Sequence, residues 1–197
     1  MFSGKTSWMI SHIKSHLMAN KRVRVVIPTI GSERHTRAEM ASSHDGLRMR
    51  ALKVRTLEEV TEEALGETDT IGVDEGHFFA NLASFCDAQA ARGRDVFVAG
   101  LKADADKRGW DSILSLFPLA DYTTCLTSTC IVCHEEATCS KKIAHAQQEE
   151  KSQVDVGADE KYVATCSACW GKDVPAEALE RRAEQVRLMK EMTTEMN

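Results

Sequence analysis

Three short runs, Val23 to Ile27, Thr70 to Val73 and Asp95 to Gly100, are separated by stretches whose apolar residues recur at helical spacing. A short β-branched run bounded by breakers is a buried strand, and helical connections between such strands force them to lie parallel. Pro28 stops the first run and Asp74-Glu75-Gly76 the second. Leu57 to Leu65 and Asn81 to Arg92 read as the intervening helices, with Gly66 and Gly93 placed to cap them. A further helix spans residues 7 to 19, carrying Trp8, Met9, Ile13, Leu17 and Met18. This order predicts an α/β fold with a doubly wound parallel sheet, whose ligands bind at the carboxyl ends of the strands. Residues 29 to 50 are polar, show no period and read as a long surface loop. Later in the chain a short helix is expected around Ile113 to Leu119, a β-branched stretch over Tyr122 to Thr129, and a charged helix from Pro175 to Met196. That last helix reads as exposed surface or as an oligomer contact.

The loop Phe2-Ser3-Gly4-Lys5-Thr6 opens the first helix and matches the second half of a phosphate-binding loop. In such a loop backbone N–H groups and a helix N-terminus cradle phosphates, while Lys and Thr meet phosphate and Mg²⁺. The first glycine of the pattern is absent, and the sequence starts inside the motif, so the strand that normally precedes it is not seen. The apolar run ending in Asp74-Glu75 supplies the complementary part: one carboxylate can hold Mg²⁺ and the next can take a proton. Seen alone, Asp-Glu-Gly would be a solvated turn; with Gly-Lys-Thr upstream, catalysis is the better reading.

The seven cysteines include two Cys-x-x-Cys pairs, Cys130/Cys133 and Cys166/Cys169. An odd count in a chain of this length argues against a disulfide scaffold and for a metal in a reducing compartment, here the cytosol. Four thiolates make a closed tetrahedral Zn²⁺ site with no open position, so the expected zinc is structural. Cys86 falls on a helical apolar stripe and reads as core, whereas Cys125 and Cys139 are either spare thiols or core. His12 and His16, one helical turn apart, could pair on a metal, but a solvated helix face is the plainer reading. A formal charge of -5 leaves no basic field to hold nucleic acid or an anionic membrane. The longest apolar runs are too short to cross a bilayer, and no cleavable leader is evident, so the chain reads as soluble and unexported.

Taken in order, Met1 to Thr6, Val73-Asp74-Glu75-Gly76-His77-Phe78-Phe79, Phe117-Pro118-Leu119-Ala120, Cys130-x-x-Cys133 and Gly157-Ala158-Asp159 through Lys161-Tyr162 to Cys166-x-x-Cys169 resemble the type II, zinc-containing thymidine kinases. The resemblance runs from Met1 to about Trp170. It implies a P-loop kinase domain over residues 1–125, a small zinc lobe with a thymidine-binding loop over 126–170, and a charged helix over 171–197. It further implies ATP with Mg²⁺ on one side of the site, met by Met1, Phe2, Ser3, Gly4, Lys5, Thr6, Arg34, Asp74 and His77. Glu75 would be the general base that accepts the proton of the nucleoside 5′-hydroxyl. Phe78, Leu101, Trp110, Ser140 and Tyr162, with Met1, would wall the thymine pocket, and backbone groups around Val154, Val156 and Gly157 would read the base edge. Cys130, Cys133, Cys166 and Cys169 would hold structural Zn²⁺.

The implied function is ATP-dependent phosphorylation of thymidine, with deoxyuridine as a second acceptor left open, by a cytoplasmic homotetramer or homodimer. Departures from the family pattern are His77 where a glutamine is usual, Ala105 where many members carry an aromatic residue, and Ser32 in place of the acid before Arg34. Three rivals differ in what they would do: a folded but inactive member, another P-loop ATPase or GTPase, and a zinc-dependent interaction module.

Overall fold

The computed structural model describes residues 2–30, 40–42, 48–143 and 161–195. Five strands form one sheet in the order β2-β3-β1-β4-β5: β1 (Val23–Pro28), β2 (Met40–Ser42), β3 (Arg48–Val54), β4 (Thr70–Val73) and β5 (Asp95–Val98). β3, β1, β4 and β5 run parallel, and β2 joins the edge antiparallel. The register sets Val26 of β1 beside Val73 of β4, and Val73 beside Val98 of β5. The carboxyl ends of these three strands therefore lie together.

Side chains alternate across a strand, so a sheet with helices on both faces needs apolar residues at successive positions. In β1, Val25 and Ile27 pack on one face with Met9 and Ile13 of α1 (Lys5–Met18), and Val26 packs on the other with Leu57, Leu65, Phe79 and Leu82. Burying each such side chain contributes about 1.5–3 kcal/mol. Gly72 lets α1 seat closely: a Cβ there would stand 2.4 Å from Ile13 Cδ1. On the far side α3 (Leu82–Ala90) buries Leu82 and Cys86, the latter in the core as its position on the stripe implies.

The expected loop over residues 29 to 50 is corrected by β2 and by the start of β3. Arg48, Arg50 and Lys53 interrupt the apolar run of β3 and hide it in sequence; pairing with neighbours on both sides makes it a strand nonetheless. The helix expected over Leu57 to Leu65 divides into a 3₁₀ turn, Leu57–Glu59, and α2 (Glu62–Leu65). Thr61 causes the break, because its hydroxyl accepts the Ala64 N–H at 3.3 Å as an N-cap. The short helix α4 (Asp111–Leu114) begins earlier than its sequence suggested. Of the stretch Tyr122 to Thr129 only β6 (Ser128–Thr129) is a strand, and Tyr122 is 95% exposed.

β6 pairs with β7 (Glu136–Ala137), and β8 (Cys139–Lys142) with β9 (Tyr162–Thr165); α5 (Ser167–Trp170) follows. A long helix, α6 (Ala176–Glu195), ends the described chain. Among the described residues no helix is long and apolar enough to cross a membrane.

His16 corrects the solvated-face reading of its pair. Its Nδ1 lies 3.0 Å from Thr70 Oγ1 and 3.5 Å from Asp95 Oδ2, so it fastens α1 to the sheet. His12 remains exposed, with Nδ1 2.8 Å from its own helix's Trp8 carbonyl.

Candidate active site

α1 starts where the chain turns through Gly4, whose φ of 72° lies in the left-handed region open to glycine. Gly4, at the N-cap position, has no side chain with which to cap this helix, and the helix starts at the carboxyl end of the sheet, the arrangement that binds anions. Lys5 and Thr6 form the first turn. Across from them β4 ends in Asp74, which is 2% exposed. The Thr6 hydroxyl donates to the Asp74 carboxylate, 3.1 Å from Oδ1 and 2.9 Å from Oδ2. One contact thus joins two motifs that are 68 residues apart in sequence.

Burial, and then the negative charge of Glu75, push the Asp74 carboxyl up to about 7, against the pull of the Thr6 hydroxyl, the Glu75 N–H and the Lys5 charge. Glu75 itself has φ of 49°, uncommon for a residue with a side chain. Its N–H donates to Asp74 Oδ1 at 3.0 Å, and its side chain, 23% exposed, reaches the open side of the site. Gly76 follows, its N–H donating to the Ala99 carbonyl at 2.9 Å, which locks the turn after β4 onto the end of β5.

His77 is buried, with Nδ1 3.6 Å from Glu75 Oε2 and accepting the Leu101 N–H at 3.3 Å. Its ring lies 4.1 Å from Phe78 and 5.0 Å from Trp110, and Phe78 and Trp110 are 5.9 Å apart. The Phe78 and Trp110 rings pack with the His77 imidazole into an aromatic wall beside Glu75. The Trp110 indole N–H is buried without a hydrogen-bond partner among the described residues. An orphan donor in such a wall is suited to a ligand that brings an oxygen acceptor.

The four sulfurs of Cys130, Cys133, Cys166 and Cys169 all lie within 4.8 Å of one another. Cys133 and Cys166 are 3.7 Å apart, close to the edge of about 3.8 Å that Zn–S bonds of about 2.3 Å give a tetrahedron. Burial would raise the Cys130 thiol, but the backbone N–H groups of Cys133, Cys166 and Val132 outweigh it and bring it down to about 6. Burial instead pushes the Cys169 thiol up to about 12, so it is the spacing of the four sulfurs that fits a metal, which would supply the positive charge the thiolates need. Phe2 packs against the small core of Cys130, Ala137, Ala164 and Cys169, so the cysteine cluster touches the loop that opens α1.

Ser140 and Tyr162 are buried on the β8–β9 ladder. Met1, Arg34, Val154, Val156 and Gly157 lie outside the described residues.

A family model described as thymidine kinase matches residues 1–170. The chain belongs to the thymidine kinase family. Similar proteins include one named thymidine kinase 1 from Dictyostelium discoideum, 32% identical over 88% of this chain and 75% of its own length. The protein named cytosolic thymidine kinase from Gallus gallus is 31% identical over 94% of this chain and 80% of its own. Its namesake from Homo sapiens is 34% identical over 87% and 70%.

Some contacts that shape this thymidine kinase site left no mark in the sequence pattern. Ser112 Oγ donates to the His77 carbonyl at 3.0 Å and pins the turn after Glu75. Trp170 Nε1 donates to the Ala105 carbonyl at 3.1 Å, and Lys107 Nζ sits 4.2 Å over the Trp170 ring, tying the loop after β5 to the cysteine region.

Proposed function

We propose that the chain transfers the γ-phosphoryl group of ATP to the 5′-hydroxyl of thymidine. The observation that carries this is the bond from Thr6 to Asp74, which brings the helix N-terminus of the phosphate loop beside Glu75. Family membership and relatives named thymidine kinase supply the acceptor.

In this reading the N–H groups of the first turn of α1 and the Lys5 ammonium hold the β- and γ-phosphates. Ser3 and Gly4 shape the turn, and Met1, Phe2, Arg34 and His77 complete the nucleotide side. Thr6 Oγ1 and Asp74 suit Mg²⁺: a hydroxyl and a buried carboxyl held near 7 by burial form a hard oxygen set in which a cation relieves the cost of ionising Asp74. When bound, Mg²⁺ neutralises charge developing on the phosphates. Glu75 takes the proton from the 5′-hydroxyl as it attacks, and the left-handed turn at Glu75 aims its carboxylate off the end of the sheet. Phe78, Leu101, Trp110, Ser140 and Tyr162 bury the pyrimidine, with the segment around Val154, Val156 and Gly157 reading its edge.

We further assign residues 1–125 to the nucleotide-binding domain, 126–170 to a lobe stapled by structural Zn²⁺, and 171–197 to the C-terminal helix. A cytoplasmic homotetramer or homodimer is the proposed assembly, in line with relatives named cytosolic.

Incubation with Mg²⁺-ATP and labelled thymidine tests this: labelled monophosphate should form, and Glu75→Gln should lower kcat about 10²- to 10⁴-fold while nucleotide affinity is kept. Absence of monophosphate overturns the substrate, and a rate for Glu75→Gln within about tenfold of the parent removes Glu75 as base. Steady hydrolysis of ATP without a nucleoside would favour another P-loop ATPase.

A further inference from the structure

Helix α6 looks in sequence like a solvated rod, yet Arg182, which is not fully exposed, turns inward. Its Nη1 donates to the backbone carbonyl of Tyr162 in β9 at 2.7 Å. Its guanidinium carbon also lies 4.2 Å from the centre of the Phe2 ring. A planar guanidinium can cover an aromatic face and donate in its own plane at the same time, which an ammonium cannot. One side chain thus links the start of the phosphate loop, the strand beside the cysteine cluster and the C-terminal helix.

Phe2 is a residue that benefits from being held. Its φ of 59° is unusual for a side chain of that size, and it stands two positions before Gly4, where the loop turns into α1. The Phe2 ring also packs on the cysteine core. We propose that Arg182 is a positioning residue for the phosphate loop: α6 clamps Phe2 onto the cysteine lobe and so keeps Gly4, Lys5 and Thr6 in their nucleotide-binding arrangement. This rests on the reading above that Gly4 to Thr6 hold ATP phosphates.

The test uses the full zinc-loaded chain and a fluorescent N-methylanthraniloyl ATP analogue with Mg²⁺. Arg182→Met, which keeps the length of the side chain but not its charge or donors, should raise the Kd for the analogue and the KM for ATP about tenfold. Zinc content should stay unchanged. Arg182→Lys, which keeps a cation over the ring but not the fork, should fall between parent and Arg182→Met. Phe2→Leu should weaken the analogue similarly, and the double variant should be no worse than the more severe single one, because the two residues act through one contact. An Arg182→Met Kd within about twofold of the parent, or losses that multiply in the double variant, overturns the proposal. So does zinc loss that parallels the loss of affinity. Should Arg182→Met not fold, Arg182→Lys against Phe2→Leu makes the same comparison. A parent chain that binds the analogue yet phosphorylates no nucleoside would sink the thymidine reading alone, with the clamp still judged on Kd; a parent that binds no nucleotide overturns both.

Discussion

The sheet and the cysteine region are built on different physics. The sheet is sandwiched between helices, with Met9, Ile13, Val25 and Ile27 on one face and Val26, Ile71, Val73, Leu57, Leu65 and Phe79 on the other. The region around the cysteines has two short two-stranded ladders and a buried core of Cys130, Ala137, Ala164 and Cys169. Two-stranded ladders with two alanines between them bury too little apolar surface to hold themselves. The sheet thus keeps its free energy in side-chain packing, whereas the second region would draw its own from the metal that its four cysteines are spaced to hold.

The largest effect should come from attacking that metal site. Chelation, or Cys169→Ser, removes a contribution on the order of 10 kcal/mol from the cysteine region. Zinc-to-protein stoichiometry should fall from one, and amide exchange in β6 to β9 should accelerate while β1 and β4 stay protected. Equal acceleration in the sheet would erase the distinction. An intermediate effect should follow from the opposite attack: Ile13→Ala, at a fully buried site against Gly72, should lower stability by about 2–5 kcal/mol with zinc content intact. Denaturant unfolding with a zinc assay on the same samples reads both.

The smallest effect concerns the surface of the sheet. Asp69 is brought down to about 2 by side-chain and backbone hydrogen bonds from Arg22, so it remains charged in the fold at a pH where the unfolded chain, near 3.8, is half protonated. The native state binds fewer protons between these values. Its contribution is therefore present above pH 3.8 and fades as pH falls toward 2. Asp69→Asn should flatten the acid limb of the stability curve over that window and leave neutral-pH metal binding unchanged. The pair is solvent-exposed, so the change should be slight. An unaltered acid limb would show that the Arg22 contact does not form in solution.

Sequence legibility divides along similar lines. β1, β4 and β5 are apolar on successive positions because both their faces are covered, and that pattern is local. The cysteine set was legible because metal chemistry imposes fixed spacing. β3 was not, since Arg48, Arg50 and Lys53 stand in it and only pairing with β1 and β2 makes it a strand. For the site, Gly4 to Thr6 and Asp74-Glu75 were visible as motifs. The fastening of His16 to Thr70 and the inward turn of Arg182 were hidden, because each depends on a partner brought close only by the fold.

Gly72 makes α1 a lever. Its absent side chain lets Ile13 sink against β4, and about 12 Å of helix separates that fulcrum from Lys5. A tilt of about 5° about that point, forced by a methyl group added at position 72, would move its tip by about 1 Å. With Lys5 meeting phosphate as proposed above, a misplacement of that order would slow a positioned reaction about a hundredfold, and a glycine remote from the loop would govern how accurately Lys5 is aimed.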